Sequence, residues 1–242
     1  MEHRALSLEV GEENLIRTYC AIARATAGNV ISWTPQAVMS VGNFPHPLCN
    51  FAVLLDPTAI DSVRMVAEGK PAFNVYTFTD DVADGLRHEY ELVIMERPGE
   101  RTEGAQELVP VTLPLQRSSV CQFMTQQFFG SQSAQVREMI GKATARAEGL
   151  ELYAFSEGTS VRIRAAAMLH RTRGTVGLYN LCVDAAARHR GLGRHIVSRV
   201  VTQAASEDRS VTLQCDASLR AWYGSQGFVE TGILHVWSLI PN

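Results

Sequence analysis

One stretch of the chain decides its fold: Arg188-His189-Arg190-Gly191-Leu192-Gly193-Arg194. It follows the apolar segment 176–183, which has the pattern of a strand, and it opens an amphipathic helix expected over 194–208. Glycines let the backbone turn its N–H groups toward a ligand, and the first-turn amides of a helix have no partner within the helix. The sequence therefore predicts a site for phosphate oxygens at this helix N-terminus.

The same residues argue against two other kinds of phosphate loop. No Lys-Ser/Thr pair closes the loop, as it would in a nucleoside-triphosphate site, so nothing is placed to hold Mg²⁺. No third glycine follows Gly191 and Gly193 at the spacing of a dinucleotide-binding loop. The remaining alternative is an ordinary glycine-containing connection with surface arginines.

The loop matches Arg/Gln-x-x-Gly-x-Gly/Ala, and in this it resembles the pyrophosphate loop of the GNAT-type N-acetyltransferases. Two neighbouring segments support the resemblance. Leu178-Tyr179-Asn180-Leu181-Cys182-Val183 precedes the loop, and Tyr223-Gly224-Ser225-Gln226-Gly227-Phe228 is similar to the Tyr-x-x-x-Gly-Phe near the end of such domains. Two departures are visible: His189 stands where the family often has glycine, and Ala185-Ala186 replaces a common Pro-Glu.

Composition limits the class of protein. The 242 residues are 46% hydrophobic and 19% charged, as in an ordinary globular protein. No apolar run is long enough for a membrane span, and the N-terminus leads into no secretory h-region. The five cysteines are scattered without a CxxC pair, so we expect no metal site and no disulfide framework. These features predict a reduced, cytoplasmic protein that does not bind membranes.

The net charge of −3 is unevenly distributed along the chain. Residues 1–109 hold 8 basic and 16 acidic side chains, whereas residues 110–242 hold 14 basic and 9 acidic ones. All but one of the second set of basic residues are arginines, which suit bidentate contact with phosphate. The excess is small and no aromatic residues are interleaved with it, so nucleic acid is a weaker candidate ligand. The resemblance implies coenzyme A, which carries several phosphate charges.

The polar segment Arg97–Gln106 is the predicted boundary between two halves, 1–106 and 107–242. The pattern of the second half predicts strands and helices in the order β-α-α-β-β-β-α-β-α-β, which is the order of a GNAT domain. Its predicted elements are Glu107–Leu113 (strand), Ser118–Phe129 and Ser133–Glu148 (helices), Leu150–Ser156, Ser160–His170 and Thr175–Val183 (strands), Arg194–Asp208 (helix), Val211–Cys215 (strand), Ser218–Gln226 (helix) and Phe228–Leu239 (strand).

The first half shows a weaker version of the same pattern and no Gly-x-Gly loop. Its predicted elements are helices Glu13–Ala27, Ala59–Gly69 and Asp81–Glu89, and strands around Val30–Val41, Leu48–Leu55, Phe73–Phe78 and Tyr90–Glu96. It resembles the degenerate GNAT-like half that a bacterial subgroup carries ahead of its catalytic half, with Phe44–Asn50 similar to an "aromatic-Asn" strand. The resemblance thus implies an α/β (α+β) GNAT fold, a mixed sheet flanked by helices in tandem halves.

The resemblance also implies roles for individual residues. Acetyl-CoA would bind along the bulged strand Leu181-Cys182-Val183, and its pyrophosphate would bind the loop Arg188-His189-Arg190-Gly191-Leu192-Gly193-Arg194. Tyr223 is the candidate general acid for the leaving thiolate, with packing over the sheet as its alternative role. The general base stays open among His170, Glu157 and Asp216. Cys182 and Cys215 could be acyl carriers, although a cysteine in an apolar strand is usually an inert core residue.

Three functions are compatible with these observations. The favoured one is an acyltransferase that moves an acetyl group from acetyl-CoA to a primary amine of a small molecule or of a protein. The alternatives are a non-catalytic acyl-CoA-binding sensor and an interaction module that keeps the fold without the ligand. A homodimer is compatible with all three, and the acceptor is not indicated by the sequence.

Overall fold

The computed structural model describes residues 8–70, 72–80, 82, 84–101, 107–156 and 162–240. Within them ten strands form one mixed sheet, in the order β1-β2-β3-β4-β10-β5-β9-β8-β7-β6. The strands are β1 (Val30–Trp33), β2 (Ala37–Val41), β3 (Phe51–Leu54), β4 (Asn74–Thr77), β5 (Leu86–Pro98), β6 (Leu150–Phe155), β7 (Ala165–Thr172), β8 (Thr175–Val183), β9 (Ser210–Cys215) and β10 (Val229–Leu239). The predicted mixed sheet flanked by helices is confirmed.

Six α-helices pack on this sheet within the described part of the chain. They are α1 (Val10–Arg24), α2 (Ile60–Ala67), α3 (Pro114–Phe128), α4 (Ala134–Arg146), α5 (Leu192–Ser206) and α6 (Arg220–Gly224). One apolar cluster joins α1, α3 and α4 to strands of both halves, including the fully buried Phe51 and Leu152. Separate clusters hold α5 and α2 against the sheet. None of the described helices is long and apolar enough to cross a membrane.

The strand order repeats itself from the two ends of the sheet toward its middle. In the first half β1, β2 and β3 form an antiparallel meander, α2 follows, and β4 lies parallel to β3. In the second half β6, β7 and β8 form the same meander, α5 follows, and β9 lies parallel to β8. Each half is then completed by the last strand of the other half, because β10 pairs with β4 and β5 pairs with β9.

The predicted boundary at Arg97–Gln106 begins at the end of β5, one of the two strands that the halves exchange. Residues 102–106 lie outside the described residues, so the division at 106 stays a prediction. The hydrogen-bonded sheet is nevertheless continuous across it, since β5 lies between β9 and β10. Neither half could therefore form its observed sheet without a strand from the other.

Helix α1 of the first half is hydrogen-bonded into the second half by a fully buried asparagine. The Nδ2 of Asn14 lies 3.0 Å from the carbonyl oxygen of His170 and 2.8 Å from Oγ1 of Thr172. The hydroxyl of Tyr179 donates to Oδ1 of Asn14 at 2.7 Å. Gly177 leaves room for this contact, because a Cβ there would overlap both Asn14 and Tyr179. The first half thus contacts β8 directly.

Three predicted elements were wrong. Residues 107–112 form no strand; Val109 is exposed, and only the Val111 amide reaches β6, donating to the Leu152 carbonyl. The predicted helix Asp81–Glu89 is contradicted from Leu86 onward by β5, because pairing with β10 overrides local helix propensity. The Phe44–Asn50 segment is a series of turns, in which the Asn50 side chain donates to the Phe44 carbonyl and accepts from the Gly42 amide.

Replacing Asn14 with leucine should destabilise the whole fold. The substitution removes the buried hydrogen bonds of Asn14 with the Tyr179 hydroxyl, the His170 carbonyl and Thr172, and a buried group that loses its partner costs about 1–3 kcal/mol. We expect a loss of about 3 kcal/mol in the free energy of unfolding, measured by urea denaturation. Arg24→Ala at the exposed end of the same helix should cost less than about 1 kcal/mol.

A double variant tests the cause of that loss. Adding Tyr179→Phe to Asn14→Leu removes both hydrogen-bonding partners, and such paired replacements can be nearly neutral. The double variant should therefore lose less than the sum of the two single losses. Strict additivity would show that the hydrogen bond does not couple the two residues.

Candidate functional site

Strands β8 and β9 start side by side and then separate. They pair in parallel only from Thr175 to Gly177, opposite Ser210 to Thr212. Farther along, β8 carries a bulge, in which Asn180 and Leu181 together face Ala167 of β7. Asn180 has a φ of 50°, in the left-handed region that asparagine tolerates better than most residues. The resemblance implied a bulge at Leu181–Val183, and the observed one begins one residue earlier.

A cavity of about 1400 Å³ includes the opening between these two strands. Its lining on that side comes from the bulge residues Asn180 and Leu181, the end of β9 and helix α6. On the other sides it is lined by α1, α3 and the segment 64–70. Both halves therefore form its walls, and aromatic side chains contribute much of the lining: Tyr19, Phe73, Tyr76, Tyr90, Phe128, Phe129, Tyr179 and Tyr223.

The predicted phosphate loop connects the end of β8 to α5. Asp184 caps a short 3-10 turn at Ala185–Ala187 by accepting a hydrogen bond from the Ala186 amide. The chain then reverses through His189 and Gly191, which have φ values of 61° and 79°. Helix α5 begins at Leu192, directly after this second left-handed residue. The family's preference for glycine at position 189 is thus explained, because the backbone there adopts a conformation that glycine adopts without strain.

The geometry and charge of this loop fit a pyrophosphate. The first-turn amides of α5 have no partner within the helix, and they lie at the positive end of its dipole. Residues 188–191 and Arg194 are exposed, so several basic groups surround the helix start. The Nε of Arg188 donates to the Val183 carbonyl at 3.1 Å, which fixes its side chain beside the end of β8. A Cβ at Gly193 would come within 3.6 Å of Trp222, so helix α6 packs beside the loop.

Tyr223 lies in α6, and its side chain lines the cavity near the end of β9. It is 7% exposed, and its ring packs against Trp222 and Phe228 at centroid distances of 4.7 and 5.7 Å. Burial raises the pKa of its hydroxyl well above the ordinary value, so the group stays protonated at neutral pH. Tyr223 therefore packs over the sheet, as one of its two predicted roles requires, and its role as a general acid stays a prediction.

The three candidates for the general base differ in their surroundings. His170 is buried with its Nδ1 2.8 Å from the Thr18 hydroxyl, and burial lowers its pKa. Asp216 lines the cavity, but its hydrogen bonds to Ser218 lower its pKa. Glu157 lies outside the described residues. The buried hydrogen bond gives His170 a structural role, and the lowered pKa makes Asp216 a weak proton acceptor.

Both cysteines considered as acyl carriers are buried and uncharged. Burial raises the pKa of Cys182 to about 12 and that of Cys215 to about 11. The thiolate, which is the nucleophile, is therefore scarce at neutral pH. Cys215 nonetheless lines the cavity, and its sulfur contacts that of Met95 at 3.8 Å.

Comparisons with known proteins agree with this geometry. Residues 119–235 match the family described as "Acetyltransferase (GNAT) domain". A segment of 65 residues is 46% identical to a protein of Oryza sativa subsp. japonica named "Probable glucosamine 6-phosphate N-acetyltransferase 2". That match covers 26% of this chain and 39% of the rice protein, so the chain spans well under half of that relative's length.

Two solved structures share the architecture along most of the chain. A GCN5-related N-acetyltransferase from Kribbella flavida has a TM-score of 0.66 at 9% identity, covering 98% of each chain. A tandem GNAT protein from the clavulanic acid biosynthesis pathway has a TM-score of 0.55 at 10% identity, covering 93% of this chain and 88% of its own. At these identities the likeness concerns the fold alone.

Residues 119–235 are therefore a GNAT acetyltransferase domain, and the chain has the GNAT fold. The resemblance inferred from the loop at 188–194 is confirmed at the level of the family. The matched range contains β8, the loop, α5 and Tyr223, so every candidate site residue lies within it.

The burial of the cysteines predicts slow thiol chemistry. In the native protein dithiobis-nitrobenzoate should label Cys182 and Cys215 far more slowly near neutral pH than in denaturant. The rate should rise with pH, because deprotonation approaches the raised pKa values only in strongly alkaline solution. Mass spectrometry of the labelled peptides would locate the reaction, and rapid native labelling of Cys182 would contradict the burial argument.

Proposed function

We propose that this protein transfers an acetyl group from acetyl-CoA to the primary amine of an acceptor bound in the cavity. The opening between β8 and β9 is the observation that supports this proposal most. It joins the loop at 188–194, which we call the phosphate cradle, to a cavity lined by the protonated phenol of Tyr223. When bound, acetyl-CoA supplies a thioester that an amine nitrogen attacks, forming a C–N bond as the C–S bond breaks.

The cradle would hold the pyrophosphate of this cosubstrate. The amides at the start of α5 would donate hydrogen bonds to it, and Arg188, His189, Arg190 and Arg194 surround it with basic side chains. The edge of β8 that β9 leaves uncovered, at Leu181, Cys182 and Val183, would pair with the pantetheine amides as an added strand does. A backbone N–H of this edge would polarise the thioester carbonyl.

The first half has no such cradle at the equivalent position. Its 3-10 turn Pro57–Ala59 runs directly into α2 at Ile60, without the inserted loop that separates the corresponding turn from α5. Asp56 caps this turn as Asp184 caps the corresponding one, but no segment of arginines and glycines follows it before the helix begins. We infer that the first half binds no coenzyme and serves as a wall of the acceptor cavity, in line with the subgroup that carries a degenerate front half.

Tyr223 would hold the proton that the leaving thiolate takes up. Tyr223 is buried and lines the cavity together with Cys215, the last residue of β9, where the thioester would extend. The amine would lose its proton to water or to a group not yet identified, since His170 is held in the core by Thr18. We also propose a reducing compartment such as the cytoplasm, because all five cysteines are free.

Gly191→Asp should abolish the stabilisation of the protein by acetyl-CoA. The substitution places a carboxylate and a strained backbone in the cradle, whereas a ligand that binds the native protein raises its melting temperature by mass action. Gly28→Asp is the matched control, because Gly28 also has a left-handed φ (78°) and open surroundings but lies between α1 and β1. If acetyl-CoA raised the melting temperature equally in the parent and in the Gly191→Asp protein, the assignment of the cradle as the pyrophosphate site would be excluded.

Tyr223→Phe should slow turnover without weakening acetyl-CoA binding. Losing a positioned acid costs ~10²–10⁴-fold in rate, whereas the ring and its packing remain. Thiol release from acetyl-CoA would be followed with an amine panel. The amine panel includes glucosamine 6-phosphate, which the name of the rice relative suggests, and arylalkylamines, which the aromatic lining of the cavity suggests.

Tyr90→Phe is the control for this experiment, since Tyr90 also lines the cavity but lies on β5 and not in α6. Its turnover should stay within a few-fold of the parent's. Unchanged turnover in Tyr223→Phe would assign the proton to water. Binding of acetyl-CoA without transfer to any amine would favour the sensor function.

A further inference from the structure

Three residues with metal-binding side chains lie together on the central strand pair β5–β10. They are His88 and Glu91 of β5 and His235 of β10, and one ligand atom from each lies within 4.8 Å of the others. The Nδ1 of His235 is 3.8 Å from a carboxylate oxygen of Glu91. Neither the cavity lining nor the acetyl-transfer chemistry includes these three side chains.

A β-bulge creates this cluster. In a regular strand His88 and Glu91 would point to opposite faces, because side chains alternate and these two are three positions apart. The register places His235 opposite Glu91 and Trp237 opposite His88, so Glu89 is an extra residue without a partner. His235 and Trp237 share one face, and their partners Glu91 and His88 therefore share it too. The sequence alone could not indicate this arrangement.

The surroundings hold the histidine rings and leave their nitrogens available. The Trp237 ring packs edge-on against that of His88 at a centroid distance of 5.0 Å, and its Nε1 donates to the Thr77 hydroxyl at 3.0 Å. In the described part of the chain, no hydrogen bond engages a ring nitrogen of His88 or His235. His235 is 13% exposed, whereas Glu91 is 47% exposed, so solvent reaches the cluster from one side.

From this geometry we propose that His88, Glu91 and His235 bind a zinc ion. Two imidazoles and one carboxylate are ligands that zinc accepts, at ~2.0–2.2 Å each, with a fourth position left for water or another ligand. Ligand atoms around tetrahedral zinc are roughly 3.4 Å apart. Side-chain rotations of the exposed residues would therefore bring the three ligand atoms, now within 4.8 Å of one another, to the separation that zinc requires. Calcium and magnesium are poor occupants, since they prefer sites made of oxygen ligands.

The ion would connect the strands that the two halves exchange. β5 comes from the first half and β10 from the second, and Glu91 and His235 are direct neighbours across their ladder. Glu89, the bulged residue, and Tyr90 line the large cavity, so the ion would also stiffen that wall. The site is independent of the proposed acetyl transfer, and its test requires no substrate.

Zinc binding would be measured on the full chain after removal of metal with a chelator. Competition with a chromophoric chelator should show one equivalent of Zn²⁺ bound, and zinc should raise the melting temperature of the parent protein. Co²⁺ would serve as a spectroscopic probe of histidine ligation. His88→Ala, Glu91→Gln and His235→Ala should each weaken zinc binding at least about tenfold, because even the loss of a group that only orients a ligand costs 10–100-fold.

Two control variants separate this site from other zinc-binding groups. His195→Ala removes an exposed histidine from α5, and Glu138→Gln removes an exposed carboxylate from α4, so zinc affinity should be unchanged in both. Glu91→Gln is an exposed substitution that preserves shape, so its effect does not depend on folding. The proposal is overturned if the parent takes up no zinc, or if Glu91→Gln and His88→Ala bind it as tightly as the parent.

Discussion

The antiparallel pairing of β5 with β10 is the constraint on which the rest of the structure depends. These are the two longest strands, with 13 and 11 residues, and each completes the sheet of the half that it did not come from. Because of this exchange the two halves share one core, and the cavity is enclosed by residues from both. Separating the halves would leave β4 and β9 as unpaired edges.

The opening in the second half arises because the two ends of β8 differ in their surroundings. At the start, the buried hydrogen bonds of Asn14 hold α1 against β7 and β8, and β9 pairs normally. At the other end the bulge at Asn180 and the turn after Asp184 direct the chain away from β9 and into the loop. Because β8 and β9 pair at their start and separate toward their ends, backbone groups of β8 are left uncovered. An extended ligand can pair with these groups.

The sequence predicted those parts of the fold whose signals are local. The glycines at 191 and 193, the apolar strand before them and the helix after them were sufficient to place the loop, because each feature constrains its own backbone. The strand exchange and the Asn14 contacts were not predictable, since they join residues far apart in the chain. The helix predicted at Asp81–Glu89 failed for the same reason: partners in β10, more than a hundred residues later, determine the conformation of Leu86–Glu89. The roles of the individual site residues stay predictions.

The strand exchange has a consequence for how the chain folds during synthesis. β5 is complete early, but both of its neighbours, β9 and β10, belong to the last part of the described chain. Until they leave the ribosome, β5 has no partner on either side, and an unpaired strand is a template for association with other chains. The first half therefore cannot finish folding while the second is being translated, and late, long-range pairing of this kind slows folding. Arg87, His88, Glu89 and Glu91 place charged and histidine side chains near the start of β5, and charges on an unpaired strand oppose its association with other chains.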